Sequence, residues 1–376
     1  MSQQLSDPDA FLQPLSQHRE RLKDLMQAIL GEITKTGRRN ARLIESSSAQ
    51  IDLQVRQFEQ LNQHLHTTRI AQEAQAASQA DLMQLRREWG AVLARFNNTR
   101  LEMNRWPLVR ALVFLQARPR RLPLYPDEDR LPRTTYMQQC LSDEVFGWLH
   151  AVLNPAAQSA SAVEHACFPD IGLPNSDFHM HLHAAYRVLL AQRKGRQARF
   201  LDVGCGGGLK VLSAMRYFDQ CAGFDFDPAY VAAGQALMRA AQGSETQIRC
   251  ADALTFEGYG AFDVIYFYRP IEDAGMLAEM EQKIVTEARP GTVLIAPYLA
   301  FPARREGLAC GHVAGALYVA GLEDKAAQTL RRKAERMGEY VMREESEGLV
   351  SIWEPLLAAS RSNGFDLPES YRKRRY

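Results

Sequence analysis

Between Phe200 and Lys210 the chain reads FLDVGCGGGLK, and no other stretch limits the fold so tightly. Phe200, Leu201 and Val203 form a short apolar run suited to a buried parallel strand, placed at Arg199–Val203. Gly204, Gly206, Gly207 and Gly208 spell a tight turn, and Leu209–Phe218 reads as a helix. Glycine lacks a Cβ, so it tolerates positive φ and lets a ligand lie against the backbone. The turn also opens a helix, whose first N–H groups face an electronegative ligand without intrahelical partners. An ordinary βα turn does not need four glycines in five residues, and the cluster points to a ligand loop.

Strands and helices alternate from there. Further strands are expected at Cys221–Phe226, Gln247–Cys250, Phe262–Phe267 and Thr292–Pro297, and helices at Pro228–Ala241 and Ala274–Glu287. Near-continuous apolar strands separated by helices mean an α/β fold: a doubly wound, mostly parallel sheet covered on both faces. Such sheets bind ligands at the carboxyl ends of their strands.

Spacing narrows the ligand. A dinucleotide fingerprint begun at Gly204 needs a small residue where Leu209 stands, which disfavours a nicotinamide oxidoreductase. The sequence offers Asp-x-Gly-x-Gly-x-Gly instead, Asp202 to Gly208. Over roughly Phe200–Tyr298, about a quarter of the chain, it resembles the class I S-adenosylmethionine-dependent methyltransferases, whose first motif has this form. The resemblance implies S-adenosyl-L-methionine as cofactor, cradled by Gly204, Gly206 and Gly208, with Asp202 facing the methionine amine. GFDFDP resembles the second motif and puts the ribose acid at Asp225, 23 residues after Asp202. Asp227 competes for that role but reads better as the cap of a helix starting at Pro228. Asp252, with Ala253 after it, falls where the family meets adenine, and it is equally a cap for a helix over Ala253–Phe256.

The fourth strand ends in YFYRPIED, residues 266–273, where the family lines the gap between methyl and acceptor. The Asn/Asp-Pro-Pro-Tyr of enzymes acting on exocyclic nitrogens is not there, which lowers the case for an adenine or glutamine N-methylase. Tyr268, Arg269 and Glu272 are the candidate catalytic residues, with Tyr266 shaping the acceptor pocket and Glu272 or Asp273 able to accept a proton. Asp273 is equally a cap for the helix at Ala274. Tyr268 as simple packing, and Arg269 with Glu272 as a surface ion pair, are the competing assignments.

The rest of the chain carries less chemistry. Residues 15–106 hold no proline and three glycines, so long helices are expected, within a helical, coiled-coil region over 1–116. Ile44, Ile51, Phe58 and Leu65 recur every seven residues, and Leu82, Leu85, Trp89, Val92 and Phe96 alternate in steps of three and four. Gln72 and Gln79 interrupt the seam and imply a stutter or bend. Self-association into a homo-oligomer through these seams, or a helix folded onto the catalytic domain, would use them. Residues 117–176 read as a linker with a short helix, and 177–376 as the methyltransferase domain. His179, His181 and His183 sit on a helix over Phe178–Gln192, capped by Ser176 or Asp177; a spacing of two does not converge, so no metal site is expected, although one histidine could face the active site.

After the fifth strand, Ala309–Gly321 reads as a strand with glycine bulges or a substrate lid, and Val313–Val319 and Glu339–Arg343 are the candidate closing strands. Helices are expected at Glu323–Met337 and Trp353–Ser362, the second stopped by Asn363–Gly364. The basic tail YRKRRY reads as a solvated end. Net charge of +1 gives no electrostatic case for nucleic acid. Six scattered cysteines without a C-x-x-C pair indicate neither zinc nor a disulfide framework. With no signal-peptide run and no apolar stretch of ~20 residues, a cytoplasmic protein is expected. The expected activity is methyl transfer to an unidentified O or N acceptor; the alternative is a non-catalytic cofactor-binding scaffold working through its coil.

Overall fold

A chain with one apolar-rich α/β stretch and one long helical stretch has two kinds of surface to bury, and it buries them separately. The computed structural model describes residues 7–35, 39–126, 131–169, 171–242, 247–342 and 351–368. The chain divides into Met1–Arg120 with Glu345–Tyr376, and Arg121–Glu344. This differs from the expected division in two ways. The C-terminal segment joins the N-terminal helices, and most of the supposed linker belongs to the α/β unit.

In the helical unit a 3-10 turn at Pro8–Phe11 leads into α1 (Leu12–Ile33), α2 (Ala41–Ala74), α3 (Gln79–Met103) and α4 (Trp106–Ala117). Caps fix the starts: Asn40 accepts from the Leu43 amide, and Ser78 from the Asp81 amide. The bend expected between Gln72 and Gln79 is a full break between α2 and α3, and Gln72 accepts the indole N–H of Trp89 at 3.0 Å.

The heptad residues Ile44, Ile51, Phe58 and Leu65 are at most 1% exposed within the single chain. Phe58 stacks on Phe96 at 5.8 Å, and Phe11 meets Trp89 and Phe96. The seam expected to face a second chain is therefore consumed inside this unit. A C-terminal helix, Glu354–Arg361, completes the core: Trp353 lies 4.9 Å from Trp106, and its indole donates to the Glu102 carbonyl.

The α/β unit begins with α5 (Arg133–Leu153), α6 (Ala160–Glu164) and α7 (Asn175–Ala191). Then come β1 (Arg199–Val203), α8 (Leu209–Ala214), β2 (Gln220–Asp225), α9 (Pro228–Gln242), β3 (Ile248–Cys250), β4 (Val264–Phe267), α10 (Ala274–Glu287) and β5 (Val293–Ile295). α11 (Phe301–Arg304), β6 (Cys310–Ala314), β7 (Leu317–Ala320) and α12 (Asp324–Ala334) close it. The seven-stranded sheet runs β3-β2-β1-β4-β5-β7-β6, parallel through β5 with an antiparallel β7 and β6. Successive side chains of β1 enter opposite layers: Phe200 packs in one core with α7 and α8, Leu201 in another with α10.

Several expected boundaries shift. Val313–Val319 spans a hairpin, because Gly315 adopts φ +51° and turns the chain between β6 and β7. Residues 339–342 form no strand, and Arg343 lies outside the described residues, as does the basic tail. The N-cap position of α7 is Pro174, which offers no side-chain cap, and Ser176 gives its amide and hydroxyl to Asp143, both at 2.7 Å. Asp252 caps a turn and not a helix. Among the described residues no helix is long and apolar enough to cross a membrane.

Because the seam is internal, Phe58→Ala is expected to destabilise the helical unit by about 3–5 kcal/mol, the cost of emptying a buried phenyl site. Denaturant unfolding would read that loss, and light scattering should show an unchanged mass. A fall in mass at unchanged stability would return the seam to an interface between chains.

Candidate active site

The carboxyl ends of β1, β2, β3 and β4 open onto one cleft, and the β1 turn forms its floor. Gly204, Gly206 and Gly208 hold φ of +74°, +50° and +77°. The amides of Gly204 and Cys205 both donate to the Phe224 carbonyl at 3.0 Å, which ties the turn to β2. Gly206 N–H donates to Asp225 Oδ2 and Asp227 N–H to Asp225 Oδ1, each at 2.9 Å, so backbone amides aim the Asp225 carboxylate. Asp202 sits at the end of β1, 1% exposed, in the cleft wall. Asp252 Oδ1 accepts from the Leu254 amide at 2.9 Å. Asp202, Gly204, Gly206, Gly208, Asp225, Asp252 and Ala253 all line this cleft. Asp227 is elsewhere engaged: it caps α9 through the Ala229 amide and accepts from the Ser159 amide at 2.7 Å.

At the tip of β4 the outcome is divided. Tyr268 and Arg269 line the cleft. Glu272 is exposed and outside the lining, with its amide bonded to the Ala166 carbonyl at 2.7 Å. Arg269 holds φ +47°, sparsely populated for a residue with a Cβ, and its guanidinium lies 4.6 Å over the Phe168 ring. Asp273 accepts from the Met276 amide at 2.8 Å and caps α10.

None of the three histidines of α7 reaches the cleft. His181 Nδ1 lies 3.1 Å from the Tyr125 hydroxyl, His183 Nε2 lies 3.0 Å from the Glu339 carbonyl, and His179 packs near Tyr217. Burial holds His179 and His181 neutral, each down to about 4. Among the described residues no three potential ligands gather for a metal.

One whole wall of the cleft is unmarked in the sequence. Phe146, His150 and Asn154 from α5 and its end, and His165, Cys167 and Phe168 beyond it, also line the cleft. No local pattern singles them out, because their role depends on docking and not on periodicity. Lys210 also lines the cleft; its ammonium lies 5.4 Å from the Phe178 ring and 5.8 Å from the Tyr266 ring.

Residues 201–296 match the family described as Methyltransferase domain. The chain thus carries a methyltransferase domain of the class I type, and the cofactor that goes with it is S-adenosylmethionine. Similar solved structures include an RNA methyltransferase from Salinibacter ruber in complex with S-adenosyl-L-homocysteine, at 18% identity over 34% of this chain and 76% of that one, TM-score 0.28. A sugar N-methyltransferase from a Streptoalloteichus species shares 21% identity over 39% of this chain and 60% of its own, TM-score 0.26. An amino pentose methyltransferase from Micromonospora echinaspora shares 19% over 36% of this chain and 61% of its own, TM-score 0.27. The chain therefore spans about three fifths of the length of the last two. No curated protein matches the chain.

This geometry can be tested by stability and by pH. A Cβ at Gly204 would lie 2.4 Å from Pro270 Cβ, on a loop that cannot yield without moving the tip of β4. Gly204→Ala is expected to destabilise the α/β unit by about 1–3 kcal/mol, from positive φ and crowding together. His181 reads out in pH. Its folded value lies below its unfolded one, so between about 6.5 and 4 only the unfolded chain takes up the proton. Stability should fall as pH drops through that window, by about 1.4 kcal/mol per unit. Denaturation of wild type and His181→Gln at pH 7 and 5 would show the shallower loss in the variant.

Proposed function

We propose that this protein transfers a methyl group from S-adenosylmethionine to an O or N acceptor held at the tip of β4. The observation that carries the proposal is the convergence of three strand-end carboxylates, Asp202, Asp225 and Asp252, on one glycine-floored cleft. Bound there, the cofactor supplies an electrophilic methyl on a positively charged sulfur.

The residues fit that molecule part by part. Asp202 offers a buried carboxylate to an ammonium group. Asp225 has each oxygen oriented by one backbone amide, and a carboxylate so aimed suits a pair of ribose hydroxyls. Asp252 and Ala253, in the same lining, are assigned to the purine. Glycines at positive φ keep side chains off the floor, so a ligand can approach the backbone.

Tyr268 and Arg269 are assigned to the acceptor. Both are in the cleft wall, and the protein's contribution is to hold the acceptor in line with the methyl and to exclude water. Glu272 lies outside the cleft and receives no role. The scaffold reading needs a coil free to bind a partner, and most of its seam residues, Ile44, Ile51, Phe58, Leu65, Trp89, Val92 and Phe96, are buried in the helical core.

Asp225→Ala is expected to weaken S-adenosylhomocysteine binding by about 1.5–3 kcal/mol, the scale for hydrogen bonds to a charged group. Calorimetry measures it, and an unaffected affinity would remove Asp225 from the site. Tyr268→Phe and Arg269→Ala should leave that affinity unchanged and lower methyl transfer at least roughly tenfold, the mark of a lost acceptor or transition-state contact. S-adenosylhomocysteine release with cell extract as acceptor pool is the assay; full activity in both variants would take the β4 tip out of the mechanism.

A further inference from the structure

Residues 158–168 form a strap fastened at both ends to the rim of the cleft. Gln158 closes it on itself, its amide donating to the carbonyls of Cys167 and Phe168 at 3.1 and 2.8 Å. The Ser159 amide donates to Asp227 at 2.7 Å. The Phe168 amide donates to the Pro270 carbonyl at 3.0 Å, and the Glu272 amide returns to Ala166.

At the middle of the strap the imidazole of His165 lies flat on the phenyl ring of Phe226, with centroids 4.0 Å apart and planes within 5°. Its Nε2 stands 3.4 Å from Asp252 Oδ1. The strap covers the acids closely enough that burial, with Asp225, Asp252 and Asp227 nearby, pushes the Cys167 thiol up to about 12.

Phe226 directly follows Asp225, and Asp252 lies just past the end of the neighbouring strand. Together they offer a flat apolar face and a carboxylate, which is what an aminopurine ring needs: a stacking surface and an acceptor for its exocyclic amine. His165 presents similar chemistry, a planar heteroaromatic ring: it stacks on Phe226, and its Nε2 comes within 3.4 Å of Asp252 without closing a hydrogen bond. At 4.0 Å the two rings are in van der Waals contact, and no second ring fits between them.

We infer that His165 stands in the place of the cofactor's adenine, and that the strap must leave the cleft rim before the cofactor seats. The inference rests on the cofactor reading above and adds a gate to it. The strap is held by the Asp227 side chain at one end and by backbone contacts of Ala166, Cys167 and Phe168 with residues 270–272 at the other, and Ala166 beside His165 holds φ +54°, a strained conformation that release of the strap relieves. A gate of this kind lowers the apparent affinity by the fraction of time the strap is open.

The experiment titrates S-adenosylhomocysteine into the full-length protein, its His165→Ala variant, and Gln158→Ala, which loosens the strap from outside the cleft. Both variants should bind roughly three- to tenfold more tightly than wild type, the closed fraction having been relieved. Amide exchange across 158–168 of wild type should quicken when the ligand is added. Weaker or unchanged binding by His165→Ala would show the imidazole to be a wall of the site or a bystander, and would overturn the gate. Ligand-slowed exchange in the strap would overturn it equally. If wild type and both variants are folded by circular dichroism and none binds, the cofactor reading falls and the gate with it.

Discussion

Between Gly204 and Pro270 there is no space for a side chain, and the cleft depends on that contact. The turn after β1 is held on one flank by two hydrogen bonds to the Phe224 carbonyl of β2, and on the other by the proline ring at the tip of β4. Clamped this way, it fixes where the first N–H groups of α8 stand and how Gly206 reaches Asp225. Both neighbours of β1 in the sheet are thus locked to its glycine turn, which sits where the strand order reverses. The place of this turn is set by backbone contacts more than by side-chain hydrogen bonds.

Features governed by local period and punctuation were legible in the sequence. Apolar runs gave β1 to β5 within a few residues, whereas Asp202, Asp225 and Asp252 were singled out by the family resemblance of the motifs around them. Features that depend on distant docking were not legible. Asn154 sits so close to Gly207 that a Cβ there would meet its Oδ1 at 1.8 Å, yet nothing near residue 154 announces it. The heptads of α2 illustrate a different limit. Ile51 and Phe58 demand a partner surface, and burial against the same chain satisfies them as fully as burial against another. Gly315 marks a third, since a bulge and a hairpin turn both call for positive φ and the residue alone does not distinguish them.

The helical unit is specified by a small polar network as well as by its apolar seam. Gln116, Ser360 and Asn363 are fully buried. Gln116 donates to the Ser360 hydroxyl at 2.7 Å, and Asn363 donates to Gln116 at 3.0 Å and to the Ile33 carbonyl at 3.2 Å. Such a network is costly when partly satisfied, so it admits one placement of the C-terminal helix against α1 and α4 and penalises a slipped one.

That placement has a consequence for biosynthesis. Trp106 and Gln116 leave the ribosome long before Trp353 and Ser360, which complete their surroundings. At ordinary elongation rates the interval is on the order of tens of seconds. Nearly everything made in that interval, residues 121–344, is the α/β unit. The nascent chain therefore carries an open indole surface and an unfilled amide while its α/β unit is being synthesised. Of the two units, the one begun earlier is the one finished later.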